Sequence, residues 1–344
     1  MKGYHMQNEI TEKQKLLDDY GHLANPGYAK RLLFEYSRQA IKASGWRIKE
    51  WDYYATLNDD YGISVTIADL SYSAMISAVF FDFKQKICFK KTKLLWFTFG
   101  KLKMPESSET GNVIYDSKGY HFEFIRNDKE RKLNATIKDF LPKQDLHVEL
   151  ILDDLKDESM VIATPWKDKP KAFYYNQKIN CMPTSGTVKI GEKVYSFDKK
   201  NSFSVLDWGR GVWTYKNTWY WGSASGLVAG KRFGFNIGYG FGDTTKASEN
   251  MIFYEGKAHK FDRVQFIIDQ NDYLKPWKFT SNDHRFEMVL EPIIDRQDTM
   301  NVIIIKNLGH QVFGKYYGFA ILDDGTKIEV DGLLGFAEQI TNHY

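Results

Sequence analysis

Cysteine is nearly absent. The chain of 344 residues has two, Cys88 and Cys181, so far apart in sequence that they give neither a disulfide framework nor a metal spacing, and a reducing compartment fits best. Histidine is more frequent but scattered. Its eight residues, at 5, 22, 121, 147, 259, 284, 310 and 343, are dispersed with no pair at ligand spacing, which leaves a metal only to convergence in the fold. Long apolar runs are missing too: the N-terminus, MKGYHMQNEITEKQKLLDDYGHL, lacks the roughly 7–15-residue apolar core of a secretory signal, and no run approaches the ~20 apolar residues of a membrane span. A soluble, cytoplasmic protein without a membrane span is expected, and Met6 is a second candidate start that would make residues 1–5 an extension. Neither charge sign is in excess. Forty-seven basic residues stand against 44 acidic ones, net +3, mixed along the chain, which gives no footprint for nucleic acid or a membrane surface. No GxSxG elbow, GxxxxGK[ST] loop, HExxH or CxxC occurs, so the common hydrolase, nucleotide and zinc signatures are missing, and neither a metal nor a cofactor is expected.

Aromatic rings are abundant instead: 24 Phe, 21 Tyr and 9 Trp, 16% of the chain. Most segments alternate with a period of two. In RFEMVLE, Phe286, Met288 and Leu290 take one face while Glu287 and Glu291 take the other, as a half-buried strand requires. Similar runs lie at 63–68, 74–81, 132–137, 147–152, 264–268 and 302–305, separated by glycine turn signals at hairpin distances. Helix is scarce, with candidates at 29–43 and near 334–341. The length favours two domains, divided in or after the acidic stretch at 153–160. The expectation is an all-β chain in which two antiparallel barrels or sandwiches, 1–165 and 166–344, pack together, each large enough to close and hold one ligand.

Four of the nine tryptophans fall in DWGRGVWTYKNTWYW, residues 207–221. On a strand, Trp219 and Trp221 share a face with Ser223 and Ser225, two large rings beside two small hydroxyls, which is the profile of a cavity wall. Asp207 and Arg210 precede them in a glycine-flanked corner, with Trp208 and Trp213. A carboxyl among indoles is desolvated and its pKa rises toward general-acid work; the plainer alternative is an ion pair closing the corner. The next strand alternates rings with glycine: Phe233, Phe235, Ile237, Tyr239, Phe241 and Asp243 on one face, and glycines on most of the other, where a sheet or a ligand approaches closely. Tyr239 beside Asp243 is a candidate proton relay. Asn236, Glu249 and Asn250 are candidates to orient a ligand's oxygens or, equally, to cap turns. Trp51 and Tyr53, on one strand face, suit an apolar seam between domains or a cavity there.

The run from SGTVKIGEKVYSF through DWGRGVW, WYWGSASG and KRFGFNIGYGFGD resembles the central region of the carotenoid 1,2-hydratase group. The whole chain, with WRIKEWDYY (46–54), MVIATPWK (160–167), AFYYNQKINCMP (172–183) and LLGFAE (333–338), more closely resembles a bacterial family of unknown function in the lipocalin-like superfamily. That resemblance implies two packed lipocalin-like barrels with a site near Asp207. Hydratase-type members carry a histidine in this corner, whereas here none follows Asp207 until His259, so the implied proton donor becomes Asp207 or Asp243, with Tyr239 assisting.

Three functions fit these residues. The first is binding of a hydrophobic or amphipathic small molecule in an aromatic cavity, with Trp208, Arg210, Trp213, Trp219, Trp221, Asn236, Glu249 and Asn250 as contacts. The second is a cofactor-independent hydratase, lyase, isomerase or cyclase using Asp207, Tyr239 and Asp243. The third is stacking of rings on carbohydrate.

Overall fold

Strands with one face on a core alternate, and the stretch at Phe286 does so: Phe286, Met288 and Leu290 are buried and Glu291 is exposed. The computed structural model describes residues 7–302 and 305–343. The proposed extension at 1–5 and the centre of the expected run at 302–305 therefore lie outside the described residues. Most of the described chain is antiparallel strand, in two large sheets. No helix of the described residues is long and apolar enough to cross a membrane.

In the first sheet, the strands Ile87–Trp96, Ser73–Asp82, Tyr61–Asp69, Ile48–Leu57, Phe203–Val212, Lys169–Ile190, Gln144–Asp153, Glu130–Leu141, Tyr120–Arg126 and Val113–Ser117 are hydrogen-bonded in that order. The sheet curls until its edges face each other: Lys93 Nζ donates to Ser117 Oγ at 2.7 Å and Lys91 Nζ to the carbonyl of Lys138 at 2.9 Å. Its concave side holds a core that includes Phe80, Phe122, Tyr175 and Trp208. The second sheet runs Lys257–Lys260, Met251–Tyr254, Lys231–Tyr239, Lys216–Val228, Lys327–His343, Ile305–Ile321, Phe286–Val302, Trp277–Ser281 and Val264–Ile267, curled around Phe233, Phe235, Trp277 and Tyr316. A further apolar cluster, with Phe81, Tyr174, Trp213, Trp221 and Phe313, lies between the sheets.

Three expectations change. The sheets part at 213–215, beyond the 165/166 division, because Lys169–Ile190 and Phe203–Val212 pair into the first sheet; the acidic stretch at 153–160 is a loop inside that sheet. The helix expected at 29–43 is short extended pieces and one 3₁₀ turn at Arg38–Ala40, since Phe34 and Tyr36 are buried about an exposed Glu35 with the period of a strand. The helix expected at 334–341 belongs to the strand Lys327–His343, paired on both sides. Both its faces are buried, Phe336 toward the seam and Ala337 toward the second sheet's core, and a strand buried on two faces loses the alternation that identifies it.

Candidate functional site

The strand Phe203–Val212 separates the residues of the tryptophan stretch by parity. Leu206, Trp208 and Val212 enter the first sheet's core, while Asp207, Gly209 and Gly211 face the seam. The glycines matter because of what lies on them. A Cβ at Gly209 would stand 2.0 Å from the Trp51 indole, and one at Gly211 would stand 3.2 Å from the Trp213 indole nitrogen. The bare backbone is thus the bed for two indoles that wall a hollow between the sheets.

That hollow has a volume of about 480 Å³. The first sheet contributes Trp51, Tyr53 and Tyr174, and the second contributes Trp219 and Trp221, with Trp213 and Phe241 from the connections. The rings brace one another. Trp213 meets Trp51 edge-on at 5.6 Å and Trp219 edge-on at 5.4 Å, and Tyr174 stacks on Phe241 at 4.5 Å, separations at which aromatic pairs add to simple burial.

One end is charged. Lys169–Ile190 alternates so that Tyr174 and Lys178 line the hollow, with Asn176 between them on the same strand face. Lys178, 1% exposed, places its Nζ 2.8 Å from Asp207 Oδ1 and 3.9 Å from the centre of the Trp221 ring. Asn176 Nδ2 donates to the same Asp207 oxygen at 2.6 Å. From the second sheet, Glu338 accepts from Trp219 Nε1 at 2.9 Å and from Gln311 Nε2 at 3.0 Å, and Arg296 Nη1 donates to Gln311 Oε1 at 2.7 Å. Behind Trp221, whose Nε1 donates to Asn236 Oδ1 at 2.7 Å, Asn236 Nδ2 donates to the backbone carbonyl of Glu249 at 2.7 Å and to its carboxylate at 3.3 Å.

Burial sets the protonation of this end. It pushes Glu338 and Glu249 up to about 7 each, against the pull of Lys178 and of their hydrogen bonds, because a carboxylate loses solvation in a low-dielectric site. The Tyr174 hydroxyl is buried without a hydrogen-bond partner among the described residues. Burial first, and then the charges of Glu249, Asp207 and Glu338, hold it protonated well above the ordinary phenol range. Toward the other end Lys49, 3% exposed, is lowered to about 7 by burial, with its Nζ donating to the carbonyls of Leu70 and Trp46 at 2.7 and 3.1 Å.

Of the residues singled out in the sequence, Asp207, Trp213, Trp219 and Trp221 line the hollow, and Asn236 with Glu249 stands directly behind it. Others sit elsewhere. Arg210 points away from Asp207, three residues along a strand being the opposite face; it pairs with Asp52 at 3.0 Å and lies over the ring of Trp208 at 4.2 Å. Trp208 is a core ring set edge-on against Tyr36 and Tyr175. Tyr239 stacks on Tyr220 at 4.6 Å in the second sheet's interior, and Asp243 accepts from the backbone of Thr245 at 2.9 Å, which lowers its pKa. They form no relay with each other across the hollow. Asn250 is a backbone brace, accepting from Gly238 N and donating to the carbonyl of Asp262. Missed in the sequence were Lys178, Tyr174, Asn176, Glu338 and Gln311. The period-two spacing of Tyr174, Asn176 and Lys178 was the available signal; nothing local marks Glu338 or Gln311. Among the described residues no group of three or more His, Cys, Asp or Glu is placed to hold a metal ion.

Residues 7–344 match the family model described as "Domain of unknown function (DUF2804)". No curated protein matches the sequence. The chain is similar in structure to a candidate AttH from Nitrosomonas europaea, at a TM-score of 0.50 and 11% identity, covering 90% of this chain and 96% of that one. It is also similar to kievitone hydratase from Nectria haematococca, at 0.47 and 8% identity over 86% of this chain and 88% of that one. CghA, solved with Sch210972, gives 0.47 and 10% identity over 98% and 97%. The first of these likenesses bears on the fold alone, which is β-rich, in two parts and lipocalin-like.

Proposed function

The chain belongs to that family of unknown function, and from its inter-sheet hollow we propose that the protein binds a hydrophobic or amphipathic small molecule, its apolar body among the indoles and its polar end at Lys178, Asp207 and Glu338. One observation carries the reading: rings from both sheets surround about 480 Å³ of space that the side chains leave unfilled, within the range of small-molecule sites. The rings are largely enclosed, with Trp213 and Trp221 5% and 3% exposed, which favours an enveloped guest over a sugar laid on an open platform. The test is a titration with 1-anilinonaphthalene-8-sulfonate read by tryptophan emission, beside native mass spectrometry of protein purified from cells. One molecule is expected to bind per chain. Met75→Trp, which fills the hollow from the first sheet, weakens that binding at least about tenfold, or about 1.4 kcal/mol. Equal binding by wild type and Met75→Trp would place the probe elsewhere and remove the proposal.

A second reading, a cofactor-independent hydration, elimination, isomerisation or cyclisation, is favoured by the unpartnered hydroxyl of Tyr174 beside carboxyls with pKa values near 7. A carboxyl poised there can give a proton at neutral pH and take it back, while Lys178 stabilises negative charge developing on a guest's oxygen. In this reading Glu338 is the proton donor facing the hollow and Asp207 orients Lys178.

A further inference from the structure

The mouth of the hollow continues into an apolar surface that nothing among the described residues covers. Leu94, which lines the hollow, is 40% exposed, and beyond it Trp46, Trp96, Phe97 and Phe99 are 53, 49, 57 and 39% exposed. Trp46 meets Phe97 and Phe99 edge-on at 6.1 and 4.8 Å, so these three rings form one patch, with the exposed Trp96 next to Phe97 in the chain. Its backbone is built to hold them outward. Phe97 and Phe99 both adopt left-handed conformations, φ 58° and 48°, which a non-glycine residue enters at a cost and keeps only where its surroundings enforce it. The enforcement comes from Asp69, which is fully buried: its carboxylate accepts from Ser71 N, the Thr98 hydroxyl and Gly100 N at 2.8 to 2.9 Å. Phe97 N and Phe99 N donate to the carbonyls of Tyr72 and Ser71. Tyr72 itself lines the hollow, so the device that displays the rings is continuous with the mouth.

The near-neutral charge of the whole chain conceals a local excess around this patch. Residues 90–103, KKTKLLWFTFGKLK, contain five lysines and no acid. Lys91 and Lys93 turn inward to close the first sheet, but Lys101 and Lys103 are exposed directly after the rings. Exposed Trp and Phe beside lysines suit the headgroup layer of a membrane, where rings sit at the apolar boundary and ammonium groups meet anionic lipid.

We propose that the patch formed by Trp46, Trp96, Phe97 and Phe99, flanked by Lys101 and Lys103, docks on an anionic lipid surface, so that an amphipathic guest passes from the bilayer into the hollow without crossing water. This rests on the reading of the hollow as a binding site for such a guest. It is tested by co-sedimentation of the full chain with vesicles of phosphatidylcholine alone and with vesicles of equal parts phosphatidylcholine and phosphatidylserine. Wild type is expected to sediment with the mixed vesicles, less so as salt rises. The double variant Phe97→Asn/Phe99→Asn, chosen because asparagine tolerates the left-handed backbone, should lose at least tenfold in vesicle affinity. Lys101→Glu/Lys103→Glu should lose the preference for phosphatidylserine. Thermal unfolding and probe binding in solution should be unchanged in both variants. Docking is overturned if wild type ignores both vesicles, if the Asn variant binds as wild type does, or if the Asn variant instead turns a dimer into a monomer, which would make the patch a contact between copies. Vesicle binding with no probe binding would sink the hollow's proposed role and leave the docking surface standing.

Discussion

Glu249 is a residue whose chemistry departs from its surface behaviour in a direction that can be measured. An unfolded glutamate ionises near 4.5 and the folded Glu249 near 7, so between those values the folded chain keeps a proton that the unfolded chain has released. Stability therefore falls as pH rises through that window, by up to about 3 kcal/mol at about 1.4 kcal/mol per unit. Lys49 acts oppositely. Its pKa drops from 10.5 to about 7, so from about 7 upward the unfolded chain holds the extra proton and stability rises with pH. The two contributions meet in a minimum near neutrality. Glu249→Gln, whose amide oxygen can still accept from Asn236, should make the acid limb shallower without abolishing it, because Glu338 is raised to about 7 as well, and melting temperatures from pH 4.5 to 9 check it; a variant curve that runs parallel to wild type would refute the assignment. The sequence made Asp207 and the indoles legible because they are adjacent and unusual. It did not reveal Lys178, which reaches Asp207 from a neighbouring strand, nor Glu338, which arrives from the far end of the chain. A lone charged residue on a strand looks like solvated surface until the partner strand is known.

At the scale of the strand, the segment Phe203–Val212 explains why glycine recurs between acid and tryptophan. Gly209 faces Trp51 across the ladder, and the missing side chain is where the indole lies. Gly209→Ala should displace Trp51 and cost about 1–3 kcal/mol, as overpacking of a filled site does. It should also blunt the response of tryptophan emission to a bound probe, since one wall of the hollow has moved. Loss of stability with the emission response intact would mean that Trp51 had simply shifted within the wall. Strand existence was largely readable from alternation, as at Phe286–Leu290. The exceptions are the strands buried on both faces, where Lys327–His343 carries Leu334, Phe336 and Ala337 in close succession and periodicity fails. Gly234 and Gly238 do lie where other groups approach: Cys181 of the first sheet would lie 2.5 Å from a Cβ at Gly234, and Glu249 3.2 Å from one at Gly238. The strand ends at Tyr239, so Gly240 and Gly242 belong to the turn beyond it and Phe241 leaves the face of Phe233 and Phe235 for the seam.

The molecule as a whole is held by its seam. Phe81 of the first sheet packs on Phe313 of the second at 4.1 Å, and the Asn180 amide donates to Ser223 Oγ at 2.8 Å and to the carbonyl of Phe235 at 3.1 Å. Two sheets joined by an apolar, hydrogen-bonded contact of this kind should unfold together. Calorimetry is expected to show one transition, and Phe313→Ala should lower it by the equivalent of about 3–5 kcal/mol without splitting it. Two separate transitions in wild type would show that the seam does not couple the halves. The division between the halves was the least legible feature, because strand order is decided by pairings distant in sequence and a hydrophilic loop looks the same inside a sheet as between two.

Because the hollow takes its wall from both halves, whatever fills it behaves as a keystone. If the proposed guest binds, it would add contacts to each side at once and favour the assembled arch, so occupancy would lengthen the life of the protein against proteases by mass action alone. Abundance in the cell would then follow the supply of the guest, with no dedicated regulator.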